Sequence, residues 1–294
     1  MQHHLSSELI SVVVSTYEWP EALDVVLASL ADQDEPRVEV VVADDGSGPG
    51  TEAVVGRWRQ AFPSGLLHAW QPNDGYRRAR VLNEGARIAS GSRLLFLDGD
   101  CLARRGLLRA VRRAALPGWF LSSKRLSLGE RLSRRVLEEH VPVWRWSALR
   151  WFLRAPRELI SAPREAARPG LLLPIRDRRR PWRPRQAEFF PPYEAYGFFF
   201  AVARADFERV NGFDMRYEGW GGEDKDLAAR LRRSGLRCGW AGPATTMLHL
   251  WHPTRKGMSS ENAELLRSAQ DGRHTEAVQG ARELASEHAG AVRT

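Results

Sequence analysis

Arg93–Asp100 reads RLLFLDGD. Apolar residues Leu94–Leu97 stop at Asp98, and a second carboxylate, Asp100, follows across Gly99. A run this continuous predicts a strand buried on both faces, as in a parallel sheet covered by helices. Toward the N-terminus, Ile10–Ser15 (ISVVVS), Val38–Ala43 (VEVVVA) and Leu66–Trp70 predict three more strands. Helical spacing separates them: Leu23, Val26, Leu27 and Leu30 after Pro20, then Val54, Val55, Trp58 and Phe62, then Val81, Leu82 and Ala86 within Arg78–Ala89. This alternation predicts βαβ units, whose sheets bind ligands beyond the carboxyl ends of the strands. The residues just after each strand are therefore the ones to read.

The composition fits a globular enzyme-sized chain. Its 294 residues are 43% hydrophobic and 27% charged, which excludes wholesale disorder. Cys101 and Cys238 are the only cysteines and match no metal-ligand spacing. A disulfide framework is excluded, and a reducing, cytoplasmic setting fits. No apolar run approaches the roughly 18 residues of a membrane span, and the start does not read as a signal peptide. The net charge of +8 is concentrated: Pro117–Glu188 holds 17 Lys/Arg against 7 Asp/Glu, with 5 of the 11 tryptophans and 8 of the 17 prolines. The segment 117–190 is thus set apart as a basic, Trp/Arg-rich helical insert, the remainder being slightly acidic.

Regular patterning resumes at Gly197–Ala203 (GFFFAVA), a candidate strand. After Asn211-Gly212-Phe213-Asp214, the run Gly219-Trp220-Gly221-Gly222-Glu223-Asp224 leads into a helix through Leu227 and Leu231, closed by Gly235. Thr245–Leu250 predicts a last strand before Trp251-His252-Pro253, and the tail from Ser259 is helix-prone. The chain divides into a first α/β half (1–116), the insert (117–190), a second half (191–258) and a helical tail (259–294).

Asp98-Gly99-Asp100 can point two carboxylates side by side at a divalent cation such as Mg²⁺ or Mn²⁺, whose further ligands come from water and phosphate. A tight Asp-Gly turn is the plainer reading. Asp44 and Asp45 likewise end a strand, where a carboxylate can accept hydrogen bonds from a ribose or a base, or merely begin a turn. Thr16, Tyr17 and Glu18 form the polar cluster after the first strand. Neither G-x-G-x-x-G after the first strand nor G-x-x-x-x-G-K-[ST] occurs, which disfavours NAD-type and P-loop binding.

Together these pieces resemble the family 2 glycosyltransferases of the GT-A fold, over roughly Ile10–Pro253 apart from the insert. The carrying residues are Val13-Val14-Ser15-Thr16-Tyr17, Asp44-Asp45-Gly46-Ser47, Asn73-Asp74-Gly75-Tyr76-Arg77 through Asn83, and the D-x-D of Asp98-Gly99-Asp100. The stretch NGFDMRYEGWGGEDKDLAARL resembles chondroitin-polymerase-type enzymes and WGGED-bearing galactosyltransferases. The resemblance implies an α/β, Rossmann-like GT-A fold with a mainly parallel central sheet flanked by helices. It also implies a nucleotide-diphosphate sugar donor, a UDP-sugar first, and transfer to a glycan or lipid-linked hydroxyl with inversion. His249 or His252 would complete a metal site with Asp98 and Asp100. Asp224, or failing it Glu223, would be the base, and Trp220, Gly221 and Gly222 would meet the sugar. Arg77 and Gly99 would lie against the donor with Thr16, Tyr17, Glu18, Asp44 and Asp45, and Arg78 and Arg80 are further candidates to face phosphates or the base. Residues 1–116 would then be the nucleotide-sugar-binding half and 191–258 the acceptor and catalytic half.

Two rival classes remain open on sequence. Nucleotidyl transfer shares the carboxylate–metal logic but wants a glycine-rich basic loop after the first strand, and Ser15–Trp19 lacks one. Polyanion binding through the insert would leave the acids unexplained; no specific nucleic-acid partner is expected. The insert itself, in Val143–Arg154 (VWRWSALRWFLR), predicts an amphipathic helix that brings Trp144, Trp151 and Phe152 together with Leu149 and Val143, with Arg145, Arg150 and Arg154 between. It would lie on an anionic membrane surface, placing the enzyme peripherally on the inner face of the cytoplasmic membrane, or else form a lid or dimer contact.

Overall fold

The computed structural model describes residues 8–155, 185–186, 195–240, 242–253 and 257–291. In chain order the elements are β1 (Ile10–Thr16), α1 (Pro20–Ala31), β2 (Val38–Asp44), α2 (Pro49–Trp58), β3 (Leu66–Trp70), α3 (Arg78–Ile88), β4 (Arg93–Asp98) and β5 (Cys101–Leu102). There follow α4 (Leu107–Ala114), β6 (Trp119–Ser122), β7 (Arg125–Ser127), α5 (Glu130–Glu139), α6 (Ala148–Arg154), β8 (Arg185–Gln186) and β9 (Phe199–Ala203). The last are α7 (Arg204–Arg209), α8 (Glu223–Arg233), β10 (Arg237–Trp240), β11 (Met247–His249), α9 (Ser260–Asp271) and α10 (Ala281–Ala291).

The main sheet runs β3-β2-β1-β4-β9-β6-β10-β8. The four strands expected from the first hundred residues pair in parallel. Alternation on β1 sends Val12 and Val14 into one core layer and Val13 into the other. Helix α1 covers the first layer with Leu23, Val26, Leu27 and Leu30, and α3 covers the second with Val81, Leu82 and Ala86. Gly85 lets α3 sit close: a Cβ there would fall 2.7 Å from Val13 Cγ1 and 3.3 Å from Ala43 Cβ. The close approach matters because α3 begins at the mouth of the sheet.

Strand β9 enters antiparallel to both β4 and β6, so the parallel runs β3-β2-β1-β4 and β6-β10 lie on either side of it, and β8 pairs antiparallel at the edge beyond β10. A second, small sheet, β5-β11-β7, holds the candidate last strand. Its register sets His249 opposite Cys101 and Leu248 opposite Leu102. Gly235 (φ +89°) closes α8 with its N–H on Arg232 O at 3.0 Å, and Leu236 N reaches Leu231 O at 3.1 Å. This is the paired capping pattern a left-handed glycine permits.

The segment after 117 is woven into this core. Its first strand, β6, lies between β9 and β10 in the main sheet. The continuous helix expected over Val143–Arg154 is interrupted. Val143–Arg145 form a 3₁₀ turn, Trp146 is extended, and Ser147 caps α6 by accepting from Arg150 N at 3.2 Å. Trp144 and Trp151 do share a face, but that face is the core: both are buried, as is Trp146, which meets Trp151 edge-on with centroids 5.1 Å apart. Trp144 Nε1 donates to Asp32 Oδ2 at 3.1 Å, and Arg145 pairs with the same carboxylate. The tryptophans are therefore unavailable to a membrane or a polyanion, which corrects the expectation for this stretch. Residues 156–184 and 187–190 of the insert lie outside the described residues. Among the described residues no helix is long and apolar enough to cross a membrane.

Candidate active site

The turn after β2 is built by its own acids. Asp44 Oδ1 accepts from Ser47 N at 2.8 Å, and Oδ2 sits 3.0 Å from His68 Nε2. Gly46 has φ +95°, and a Cβ would come within 2.4 Å of Asn73 N, so only glycine fits. Asp45 accepts from Arg77 N at 2.8 Å and from the Gln71 amide. Burial raises the Asp45 carboxyl pKa against those hydrogen bonds. Its own N–H bonds Thr16 O at 3.0 Å, while Glu18 N donates to Ser47 Oγ at 2.9 Å. Glu18 Oε1 accepts from Gly48 N at 2.8 Å, and Tyr17 Oη lies 3.0 Å from Asn73 Nδ2. The polar clusters after the first two strands thus form one surface.

Strand β4 ends at Asp98 and the chain turns at Gly99, where a Cβ would fall 2.5 Å from Ser15 O. That turn separates the two carboxylates. Asp98 faces α3, and its Oδ1 takes Arg78 Nη2 at 2.6 Å. Asp100 faces the small sheet: His249 Nε2 and His252 Nε2 lie 3.5 and 3.3 Å from its Oδ2. The two carboxylates thus have different partners in the structure: Asp98 is held by Arg78, and Asp100 lies beside both histidines. Among the described residues one group has three metal-ligating atoms within 4.8 Å of one another, Asp100, Cys101 and His249. A carboxylate with imidazoles suits a divalent cation. Burial acts to raise the Asp100 carboxyl, but the two histidines outweigh it and hold the group well below the usual carboxylate range.

Arg78 ties the rest together. Only 7% exposed, it donates from Nη1 to Glu223 Oε1 (2.9 Å), from Nη2 to Gly197 O (3.1 Å) and from Nε to Ser15 Oγ (3.3 Å), besides holding Asp98. Gly197 N in turn donates to Asp224 Oδ2 at 2.7 Å, and Lys225 N to Asp224 Oδ1 at 2.8 Å. Three carboxylates thus gather around one guanidinium. Burial works against the arginine's charge, but Asp98 and Glu223 outweigh it and raise the Arg78 pKa. Glu223 is the least compensated acid: burial, then Asp224, pushes its carboxyl up to about 7. Its Oε2 is buried and finds no hydrogen-bond partner among the described residues. Burial also raises Asp224, whose side chain still reaches the surface in part.

Gly219, Gly221 and Gly222 all have φ between +77° and +108°, and a Cβ on Gly222 would strike the Tyr217 ring at 2.7 Å. Gly219 N bonds Tyr76 O at 2.9 Å, and Trp220 stands 48% exposed just before α8. Cavities flank the mouth. One of ≈ 400 Å³ lies against Asp44, His68 and Trp70, and one of ≈ 280 Å³ lies against Trp19, Trp251 and His252.

Sequence reasoning placed Arg77 at the donor. The structure puts its guanidinium on Asp74 (3.2 Å) and Pro72 O (2.7 Å) and contributes its backbone N–H to Asp45 instead. Of Arg77, Arg78 and Arg80, the one that ties the acids together is Arg78, and a signal for it existed: position 78 falls on the same helical stripe as Val81 and Leu82. A charge on an apolar stripe asks for a buried partner. For Cys101 there was no such signal, since its place beside His249 comes from strand pairing.

Residues 11–119 match glycosyl transferase family 2, and residues 185–253 match the N-terminal domain of galactosyltransferase. Over 243 residues the chain is 32% identical to a validoxylamine A glucosyltransferase of Streptomyces hygroscopicus subsp. jinggangensis, covering 78% of this chain and 52% of that protein. The chain belongs to glycosyl transferase family 2. This family 2 chain spans about half the length of the curated relatives it matches. Its fold is that of the Pyrobaculum calidifontis mannosyltransferase PcManGT, solved with GDP-Man and Mn²⁺ (TM-score 0.55, 18% identity, covering 98% of this chain and 77% of that one). It is also that of Staphylococcus aureus TarS 1-349 solved with UDP-GlcNAc (TM-score 0.57, 16% identity, covering 89% and 66%).

Glu223 gives the site a pH signature. Its pKa is 4.5 as a free side chain and about 7 when folded, so the folded state holds this proton more tightly. That contribution to stability is whole below about 4.5 and is lost as pH rises through about 7. The melting temperature of Glu223→Gln, followed from pH 5 to 8, should fall less steeply than that of the natural chain. Equal slopes would contradict the assignment.

Proposed function

We propose that this chain transfers a hexosyl group, with inversion, from a nucleotide-diphosphate sugar to a hydroxyl of a glycan or lipid-linked acceptor, using a divalent cation. The observation that carries this reading is the gathering of Asp45, Asp98, Glu223 and Asp224 around Arg77 N, Arg78 and Gly197, with Asp100 two residues beyond Asp98 beside His249 and His252. The donor reading is supported by the names of the structural neighbours, one with GDP-Man and one with UDP-GlcNAc. A UDP-sugar is the first donor to test.

In this reading the nucleoside lies over the joined surface of Thr16, Tyr17, Glu18, Asp44 and Asp45. There Asp45 offers acceptor lone pairs beyond those used by Gln71 and Arg77, and Asp44 holds the turn. Gly99 brings backbone close to the diphosphate. Asp100, His249 and His252 would hold Mn²⁺ or Mg²⁺, which supplies Lewis-acid neutralisation of charge on the departing diphosphate. Asp98 acts with Arg78 beside that centre and does not ligate the cation itself.

Asp224 is the base. Two backbone N–H groups fix its carboxylate, and burial raises its pKa above that of a free aspartate, which makes it a better proton acceptor. A carboxylate oxygen of Asp224 takes the acceptor hydroxyl's proton as the hydroxyl oxygen bonds to the anomeric carbon and the bond from that carbon to the departing nucleotide diphosphate breaks. Glu223 is a positioning residue, because its side chain is spent on Arg78 away from the surface. Trp220 offers a flat apolar face to a pyranose ring, and Gly221 and Gly222 let backbone approach it.

The decisive assay follows slow hydrolysis of UDP-, GDP- and dTDP-sugars with and without Mn²⁺. Asp224→Asn should keep donor binding while turnover falls about 10²–10⁴-fold. Asp100→Ala should lose the response to Mn²⁺. Turnover of Asp224→Asn close to that of the natural chain would sink the assignment of the base.

A membrane-proximal acceptor remains part of the reading, carried by Leu149 and Phe152 of the expected apolar face and not by its buried tryptophans. Leu149, Phe152 and Leu153 on α6 are 67%, 66% and 68% exposed, beside the exposed Arg150 and Arg154. Apolar side chains among arginines suit an anionic lipid surface. Co-sedimentation with phosphatidylserine vesicles should fall in Phe152→Glu/Leu153→Glu. Equal sedimentation of the two proteins would remove this contact.

A further inference from the structure

Cys101 has no role in the chemistry described so far. It is fully buried, and strand pairing of β5 with β11 sets it directly opposite His249, so the two side chains share a face. Its Sγ also lies 3.4 Å from Asp100 Oδ1, as a thiol donating to a carboxylate. The sulfur, a carboxylate oxygen of Asp100 and a ring nitrogen of His249 all lie within 4.8 Å of one another. Three donors of three chemical kinds thus face one small volume, at the bottom of the centre that Asp100, His249 and His252 form at its rim. The other cysteine, Cys238, stands on β10 in the opposite core layer.

We propose that Cys101 Sγ is a ligand of the cation held by Asp100 and His249, making this a thiophilic centre that prefers Zn²⁺, Co²⁺ or Cd²⁺ to Mg²⁺. The inference rests on the reading of Asp100 and His249 as the metal centre. Sulfur is the soft donor that separates these cations from Mg²⁺, which a carboxylate and water satisfy equally well. Metal–sulfur and metal–nitrogen bonds of about 2.3 and 2.0 Å require the donors to close by about 1 Å around the ion. Rotation of the Asp100 and His249 side chains supplies that movement. Binding exchanges the thiol proton for the cation, and the proton leaves to solvent. Mn²⁺ can still occupy the rim through Asp100 and the imidazoles, so the thiol acts on selectivity.

Co²⁺ is the probe, because a thiolate ligand announces itself by a near-ultraviolet sulfur-to-cobalt charge-transfer band that oxygen and nitrogen ligands do not give. Metal-stripped full-length protein titrated with Co²⁺ under anaerobic conditions should develop that band together with the visible d–d bands. Zn²⁺ should displace both, and an equal concentration of Mg²⁺ should displace neither. In Cys101→Ser the charge-transfer band should be lost while the d–d bands remain. Should that variant fail to fold, Cys101→Ala is measured instead, and the spectrum of the natural chain already decides. Visible bands without charge transfer in the natural chain would overturn the sulfur ligand and leave the metal centre standing. A charge-transfer band surviving in Cys101→Ser would place the sulfur on Cys238 and contradict the proposal. The absence of any spectral change would overturn the metal centre and the sulfur ligand together.

Discussion

The site depends on one buried guanidinium. Arg78, at the first turn of α3, reaches Ser15 at the end of β1, Asp98 at the end of β4, the backbone before β9 and Glu223 at the start of α8. A charge taken out of water is costly unless its donors are matched by acceptors held in place. The planar fork of arginine can satisfy several such acceptors at once, which lysine's single ammonium cannot. Without it the carboxylates of Asp98, Glu223 and Asp224 would repel one another across a partly dry mouth. The arginine therefore lets acids from distant parts of the chain share a small volume. Gly197 belongs to the same device: a Cβ there would lie 3.2 Å from Arg78 Nη1 and 3.3 Å from Asp224 Oδ2.

Much of this architecture was legible in the sequence. Continuous β-branched runs gave the parallel strands, because burial on both faces leaves no polar alternation. Helical spacing gave α1 and α3. The stations of the site were legible as well, since ligand crevices lie beyond strand ends and the acids stood there. What the sequence did not disclose depends on pairing between distant segments. Nothing in GFFFAVA says that β9 runs antiparallel between β4 and β6. Nothing in the spacing of Cys101 and His249 says that they face each other. For Asp98-Gly99-Asp100 the period of two suggested a shared face, and a turn at Gly99 overrode it. The tryptophans of the insert were rightly placed on one stripe, but a stripe does not say whether it meets lipid or the protein's own core.

The turn at Gly99 also divides the labour of the site. On one side Asp98 joins Arg78, Glu223 and Asp224 in a network that positions Asp224, the proposed base. On the other, Asp100 joins His249, His252 and Cys101 in a cluster of metal-ligand chemistry. An enzyme that separates a sugar from a diphosphate needs both functions within a few ångströms, neutralising the leaving group without neutralising the base. A single glycine held against Ser15 O joins the two, one beside α3 and α8 and the other at the small sheet.

Equilibrium urea unfolding of Arg78→Met tests the keystone most directly, because methionine keeps the apolar stem and removes every hydrogen bond. Leaving Asp98, Glu223 and Asp224 without their counter-charge should cost about 3–5 kcal/mol of stability near neutral pH. A loss below about 0.5 kcal/mol, the size of an ordinary surface substitution, would contradict the account.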